Sequence, residues 1–209
     1  MVSVYMTNVT SLPDPREFPE IMNGLPEERK QKTLRYKQLN DRKQSLGAGL
    51  LLEKVLRIRG KSMETIRYGE HGKPEIDGIY FNLSHSHDIA VCAVSDKPVG
   101  CDVEKIEEVT KRIAERFFTE NEIAYLERFE EEEKLNEFFR IWTMKESYMK
   151  MTGEGMSLGL KNFEFIFRDK VEVYRENNLC SCTIKEYEIP GYKLTVCAEE
   201  TEFAELKHL

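Results

Sequence analysis

Three short segments carry side chains that could do chemistry. In Gly100-Cys101-Asp102-Val103-Glu104, two acids stand two residues apart. On an extended chain such residues point the same way, so Asp102 and Glu104 present two carboxylates on one face. Like charges side by side on an apolar strand repel each other, and a bridging cation relieves the repulsion. An Asp-x-Glu pair on a wet strand needs no cation. The second segment is Arg140-Ile141-Trp142-Thr143-Met144-Lys145-Glu146-Ser147-Tyr148-Met149-Lys150. On a helix, Trp142, Glu146 and Lys150 share one face, while Ile141, Met144 and Tyr148 line another. A glutamate four residues before a lysine is also an ordinary surface ion pair, stabilising by ~0.3–0.5 kcal/mol. The single tryptophan one turn away indicates a face that is not fully solvated. The third segment is Asn82-Leu83-Ser84-His85-Ser86-His87, read as following a short strand. Histidine and serine at a strand end can bind phosphate through ring N–H, hydroxyl and backbone N–H groups. Zinc on His85 and His87 would need about four ligands, and no cysteine or third histidine stands at a helpful spacing.

Together these residues describe a hard, oxygen-liganded cation held by few protein carboxylates. That is the magnesium pattern, in which substrate phosphates and water complete the octahedron. Seven basic residues between Arg29 and Lys43, against the single acid Asp41, add sites for further phosphates or an acidic partner. Half of these charges could equally be the wet face of a helix. The residue chemistry reaches a magnesium enzyme acting on a phosphate ester or pyrophosphate, and stops short of its substrate.

These residues need elements to hold them. Alternation over residues 2–8 predicts a first strand, and Pro13, Pro15 and Pro19 a loop. Pro26-Glu27-Glu28 opens a helix, and a second is expected over 40–59. Gly47 and Gly49 inside it cost about 1 kcal/mol each relative to alanine, which points to something packed against the helix backbone. Residues 69–78 read as a loop. Strands are expected over 80–83, 90–94 and 100–104, and helices over 106–117, 120–130 and 135–151. Strands over 163–167, 170–174, 180–187 and 193–199 complete the chain. The acid run 130–133 reads as a solvated helix end. Strands and helices follow in the same order twice over, which predicts an α+β protein of two similar halves meeting near residue 100.

The composition narrows the class. With 209 residues, 40% hydrophobic and 33% charged, the chain can bury a sizeable core. A net charge of −7 argues against general nucleic-acid binding. No apolar run approaches the ~20 residues that cross a bilayer, and the N-terminus lacks a secretory signal, so a cytoplasmic address is expected. Five cysteines without C-x-x-C spacing read as small core residues.

Gly72-Lys73-Pro74, Phe81-Asn82-Leu83-Ser84-His85-Ser86, Pro98-Val99-Gly100-Cys101-Asp102-Val103-Glu104, Arg116-Phe117-Phe118 with Glu122, and Trp142-Thr143-Met144-Lys145-Glu146-Ser147-Tyr148-Met149-Lys150 occur in this order. The series resembles the Sfp-type 4′-phosphopantetheinyl transferases over roughly residues 68–160. The resemblance implies two pseudo-symmetric α+β halves, residues 1–100 and 101–209, around a coenzyme A cleft. It implies transfer of phosphopantetheine from coenzyme A to a serine of an apo acyl, peptidyl or polyketide carrier protein, releasing adenosine 3′,5′-bisphosphate. Asp102, Glu104 and Glu146 match magnesium carboxylates; Glu146, Lys150 and His85 are the candidate catalytic residues, with Glu146 as base. Lys73, Ser84, His85 and Lys150 match coenzyme A contacts, and Lys30, Lys32, Arg42 and Lys43 are the basic residues available for its 3′-phosphate and adenine. Cys101 departs from the family's larger branched residue and should pack inward. Residues 110–129, with Phe117, Phe118, Ile123 and Tyr125, read as an amphipathic core first and a carrier dock second. A monomer acting without nucleic acid or membrane is expected. Two alternatives are a magnesium-dependent nucleotide pyrophosphate hydrolase and a non-catalytic coenzyme A-binding protein of the same fold.

Overall fold

A computed structural model describes residues 1–69 and 72–209. Residues 70 and 71, within the loop expected over 69–78, lie outside the described residues. The chain opens with β1 (Ser3–Asn8), α1 (Glu27–Arg35) and α2 (Leu39–Ile58). The short strands β2 (Arg67–Tyr68) and β3 (Pro74–Glu75) lead to β4 (Tyr80–Ser86), β5 (Ile89–Ser95) and β6 (Val99–Lys105). Then come α3 (Lys111–Phe117), α4 (Glu120–Leu126) and α5 (Glu131–Thr152). Strands β7 (Phe163–Phe167), β8 (Val171–Arg175), β9 (Asn178–Leu179), β10 (Thr183–Ile189), β11 (Tyr192–Ala198) and β12 (Lys207–His208) follow.

The fold is α+β. One sheet runs β12-β1-β5-β4 and a second β10-β11-β6, and each carries one long helix on its outer face. Helix α2 lies on β1, β4 and β5, and α5 lies on β6 and β11. The sheets' inner faces share one core, with Val2, Val4, Val91 and Ala93 meeting Val99, Cys101, Val103 and Val196. The chain's last strand returns to the first sheet, where β12 pairs in parallel with β1. Among the described residues no helix is long and apolar enough to cross a membrane.

Two elements differ from expectation in ways that matter for the site. The strand expected to stop at Leu83 continues to Ser86, in full register with β5 (Ser84 opposite Val91, Ser86 opposite Ile89). The polar residues that suggested the strand's end are tolerated because their hydroxyls find partners on β6. The helix expected from residue 106 begins at Lys111, because the Ile106 amide still pairs with the Gly191 carbonyl and holds the chain extended.

The helix glycines are explained by close packing. A Cβ on Gly47 would stand 2.3 Å from Val9 Cγ1, and one on Gly49 would stand 3.1 Å from Arg29 Nε. The aromatic residues of 110–129 form core: Phe118 is buried with Leu126, Phe138 and Ile141, and Phe117, Ile123 and Tyr125 pack around them. Inside α5, Lys145 is completely buried and donates to Glu122 Oε1 at 2.7 Å and to the Phe163 carbonyl at 2.9 Å. Glu122 also closes the α4 capping box with Thr119 and accepts the Phe165 amide. This pair joins α4, α5 and β7.

Two stability predictions follow from this packing. Gly100→Ala places its methyl 2.1 Å from the Ser147 carbonyl oxygen, which is backbone and cannot turn aside. It should cost at the upper end of the roughly 1–3 kcal/mol of overpacking, read from the urea midpoint. Lys145→Met leaves the Glu122 charge buried alone and should cost about 3–5 kcal/mol. The double variant Lys145→Met/Glu122→Gln should lose less than Lys145→Met by itself, and a larger loss would refute the ion-pair account.

Candidate functional site

Alternation along β6 divides its work. Cys101 and Val103 enter the core between the sheets, while Gly100, Asp102 and Glu104 face α5. Gly100 lets the α5 backbone approach this strand closely, with Ser147 O and Met151 N lying where a Cβ would be. The rotation of α5 is set by Thr143 Oγ1 against Thr195 Oγ1 at 2.9 Å and by the Lys145–Glu122 pair. Trp142 packs edge-on against Phe117, ring centroids 5.5 Å apart, so the face it shares with Glu146 and Lys150 is partly dry. Lys150 then reaches β6: its ammonium donates to Asp102 Oδ1 at 2.6 Å and to the Cys101 carbonyl at 3.3 Å.

The first sheet supplies the other wall. Asn82, Ser84 and Ser86 of β4 are buried and point toward β6. Asn82 Oδ1 accepts the Cys101 amide at 2.9 Å. Ser84 Oγ accepts the Val103 amide at 3.2 Å and donates to Asp102 Oδ1 at 2.8 Å. Ser86 Oγ accepts the Lys105 amide at 3.2 Å and donates to Glu104 Oε2 at 2.9 Å. Cys101 packs inward as expected, its thiol donating to the Asn82 carbonyl, and burial pushes that thiol up to about 12.

The electrostatics call for positive charge. Burial and the neighbouring Asp102 push Glu104 up to about 7, against the Ser86 hydrogen bond and the Lys150 charge. Burial also raises Glu146, opposed by Lys150 and reinforced by Asp102. Burial works to lower Lys150, but Asp102 and its neighbours outweigh it and hold the ammonium above its ordinary value. Asp102 Oδ2 is buried and has no hydrogen-bond partner among the described residues. An anionic oxygen left bare in this way fits a cation site. The carboxylates do not form a complete cage: among the described residues no three His, Cys, Asp or Glu side chains are gathered to hold a metal by themselves. A donor set this small suits magnesium, which keeps water and substrate oxygens in its shell.

The basic segment separates into two groups. Arg29 was absent from the residues selected by sequence, yet it stands with Lys32 and Lys150 in the field acting on His85. Partial desolvation, then Arg29, Lys150 and Lys32, lower the imidazole below its ordinary value. Arg29 Nη2 donates to the Ser45 carbonyl at 3.1 Å, while its buried Nε has no partner among the described residues. No pattern of spacing distinguished Arg29 from its neighbours; the mark that could have done so is Gly49, whose missing side chain makes room for it. Arg42 and Lys43 turn elsewhere. Arg42 is bound by Asp14 and donates to the Tyr36 and Lys37 carbonyls, and Lys43 donates to the Thr10 carbonyl at 2.8 Å. Lys73 caps the end of α5, donating to the Lys150 and Met151 carbonyls at 2.6 and 3.1 Å. A cavity of about 610 Å³ opens beside Lys73, between Pro74–Phe81 and Met151–Gly153. It neighbours the carboxylates without containing them, since Asp102, Glu104, Glu146 and His85 do not line it.

The Arg42 guanidinium, with the Arg16 amide, lowers Asp14 from 3.8 to about 2. A carboxyl depressed on folding stabilises fully above its unfolded value and loses that stabilisation as pH falls through the folded one. The Asp14 contribution should therefore be complete above pH 3.8 and fade toward pH 2. Acid titration of wild type against Asp14→Asn should show the two stability curves converging over that window.

Comparison with known proteins gives the family. The 4′-phosphopantetheinyl transferase superfamily profile matches residues 98–197, the span that contains β6 and α5. The 4′-phosphopantetheinyl transferase gsp of Aneurinibacillus migulanus is 35% identical over 206 residues, covering 95% of this chain and 86% of that protein. Sfp of Bacillus subtilis (strain 168) is 32% identical over 97% of this chain and 93% of its own length. The transferase ffp of Bacillus subtilis is 33% identical over 90% and 88% respectively. With relatives this similar along nearly the whole chain, and a matched span that takes in the carboxylate strand and its helix, this protein belongs to the 4′-phosphopantetheinyl transferase superfamily.

Proposed function

We propose that this transferase moves the 4′-phosphopantetheine group of coenzyme A onto a serine of an apo carrier protein, releasing adenosine 3′,5′-bisphosphate. Asp102, Glu104 and Glu146 would hold the magnesium ion. The unpartnered, buried Asp102 Oδ2 carries this reading, together with two neighbouring carboxyls raised by burial and mutual repulsion. When bound, magnesium polarises the pyrophosphate and neutralises charge on the leaving phosphate.

The chain's own groups do the remaining work. Lys150 stays protonated beside Asp102 and can donate to a phosphoryl oxygen as charge develops there. Neutral His85 retains one ring N–H for a phosphate oxygen, with Ser84 beside it on β4. Arg29 and Lys32 supply cationic donors next to His85, and the free Arg29 Nε fits an anionic group. Arg42, Lys43 and Lys73 support this site by holding the loops and helix end around it. Glu146, directly or through a water, is the base for the carrier serine, its pKa raised by burial so that it is a better proton acceptor than an ordinary carboxylate. Residues 1–100 then bind the coenzyme A phosphates, and residues 101–209 carry the carboxylates and Glu146.

The deciding experiment mixes the protein with coenzyme A, Mg²⁺ and an apo carrier protein and weighs the carrier. A gain of one phosphopantetheine is expected, and no gain across several apo carriers would overturn the reading. Asp102→Asn should lower kcat/KM by about a hundredfold or more with the fold intact by circular dichroism, as loss of a charge-stabilising group does. Near-normal transfer by that variant would remove the magnesium assignment.

A further inference from the structure

The two sheets meet along β4 and β6, each the edge strand of its own sheet. An edge strand presents unpaired amides on its free side, and these need partners when buried. Here the partners are side chains. Asn82, Ser84 and Ser86 alternate along β4 and accept the amides of Cys101, Val103 and Lys105 in turn. The two serines do a second job that the asparagine does not. Each hydroxyl, having accepted an amide, has its proton left to donate, and each donates it to the carboxylate one residue earlier on β6. Ser84 thereby holds Asp102, and Ser86 holds Glu104.

Ser86 is the more telling of the two. Asp102 is already held by Lys150 as well as Ser84. Ser86 is the hydrogen-bond donor to Glu104 among the described residues. Asp102 and Glu146 repel the Glu104 side chain, and the Lys150 charge attracts it without a hydrogen bond to it among the described residues. A flexible glutamate in that field turns away unless something fixes it. Its other oxygen, Oε1, is left for a further ligand once Oε2 accepts the Ser86 proton.

We infer that Ser86 is a positioning residue that acts through Glu104, orienting this carboxylate for the cation while tying β6 to β4. The inference rests on the magnesium reading proposed above. Outer-shell hydrogen bonds to a metal carboxylate typically contribute about 10–100-fold in metal affinity. The same ladder couples the register of the two sheets to the spacing of the ligands, since a slip of β4 by one residue would turn both serines away.

The test is binding of Mn²⁺, in place of Mg²⁺, to the full chain with and without coenzyme A, free Mn²⁺ being read by electron paramagnetic resonance. Wild type is expected to bind, and Asp102→Asn to abolish binding. Ser86→Ala should raise the Mn²⁺ dissociation constant by about tenfold or more, and Ser86→Thr, which keeps the hydroxyl, should restore it. Asn82→Ala removes a rung that touches no carboxylate, so it should lower the melting temperature without changing Mn²⁺ affinity. If Ser86→Ala does not fold, Ser86→Cys takes its place, and its weak thiol donor should give an intermediate loss. Mn²⁺ affinity unchanged in the folded Ser86 variant, or lowered as much by Asn82→Ala, would overturn the positioning role and leave the magnesium site standing. Wild type with no Asp102-dependent Mn²⁺ binding would overturn the magnesium reading and this inference with it.

Discussion

The structure depends on how β6 is partnered. This one strand is paired through its backbone to β11 on one side and to the side chains of β4 on the other. Its inner face fills the shared core and its outer face carries Asp102 and Glu104 beneath α5. A backbone-paired β4 would merge the two sheets into one and leave no polar hydroxyls at the seam. Pairing through Asn82, Ser84 and Ser86 satisfies the buried amides and keeps two sheets, each with its own helix. The seam between the halves is therefore also the place where charged groups from both can converge.

Bringing Asp102, Glu104 and Glu146 into one another's field is electrostatically costly, and the surroundings offset the cost only in part. Lys150 neutralises one side of Asp102, and the two serines donate to Asp102 and Glu104. Yet Glu104 and Glu146 remain raised and Asp102 Oδ2 remains bare. Partial compensation of this kind suits a site that receives a cation together with its substrate. A fully satisfied network would compete with both.

The helix that completes the site is fixed by contacts beside the ligands themselves. Gly100 brings α5 onto β6 at backbone contact, and the buried Lys145–Glu122 pair ties the helix to α4 and β7. Because Lys145 and Glu146 are adjacent, an anchor on one side of the helix sets the direction of the ligand on the other. The basic segment shows the same division of labour. Arg42 and Lys43 hold loops, while Arg29 and Lys32 stand near His85.

Much of this was legible in the sequence alone. The period-two spacing of Asp102 and Glu104, the period-four spacing of Glu146 and Lys150, the strand-and-helix order and the ordered family motifs all depend on neighbours close along the chain, and local geometry determines them. The sequence also marked Gly47 and Gly49 as places of close approach, which Val9 and Arg29 occupy. What it could not determine were partnerships between residues far apart in the chain. Lys145 reads like any helix lysine, and only the packing of α4 and β7 makes it a buried ion-pair partner. Ser84 and Ser86 read as lying just past a strand's end, because polar side chains there usually seek water. Only the second sheet supplies the amides and carboxylates that keep them in a strand. Arg29, Arg42 and Lys43 are equal as a run of charge, and tertiary contacts alone separate the residues that hold the fold from those that face the site. The residues able to do the chemistry were thus set by the sequence, whereas the tertiary structure decided which of them are brought together, because hydrogen bonds and ion pairs across the seam join residues up to 104 positions apart.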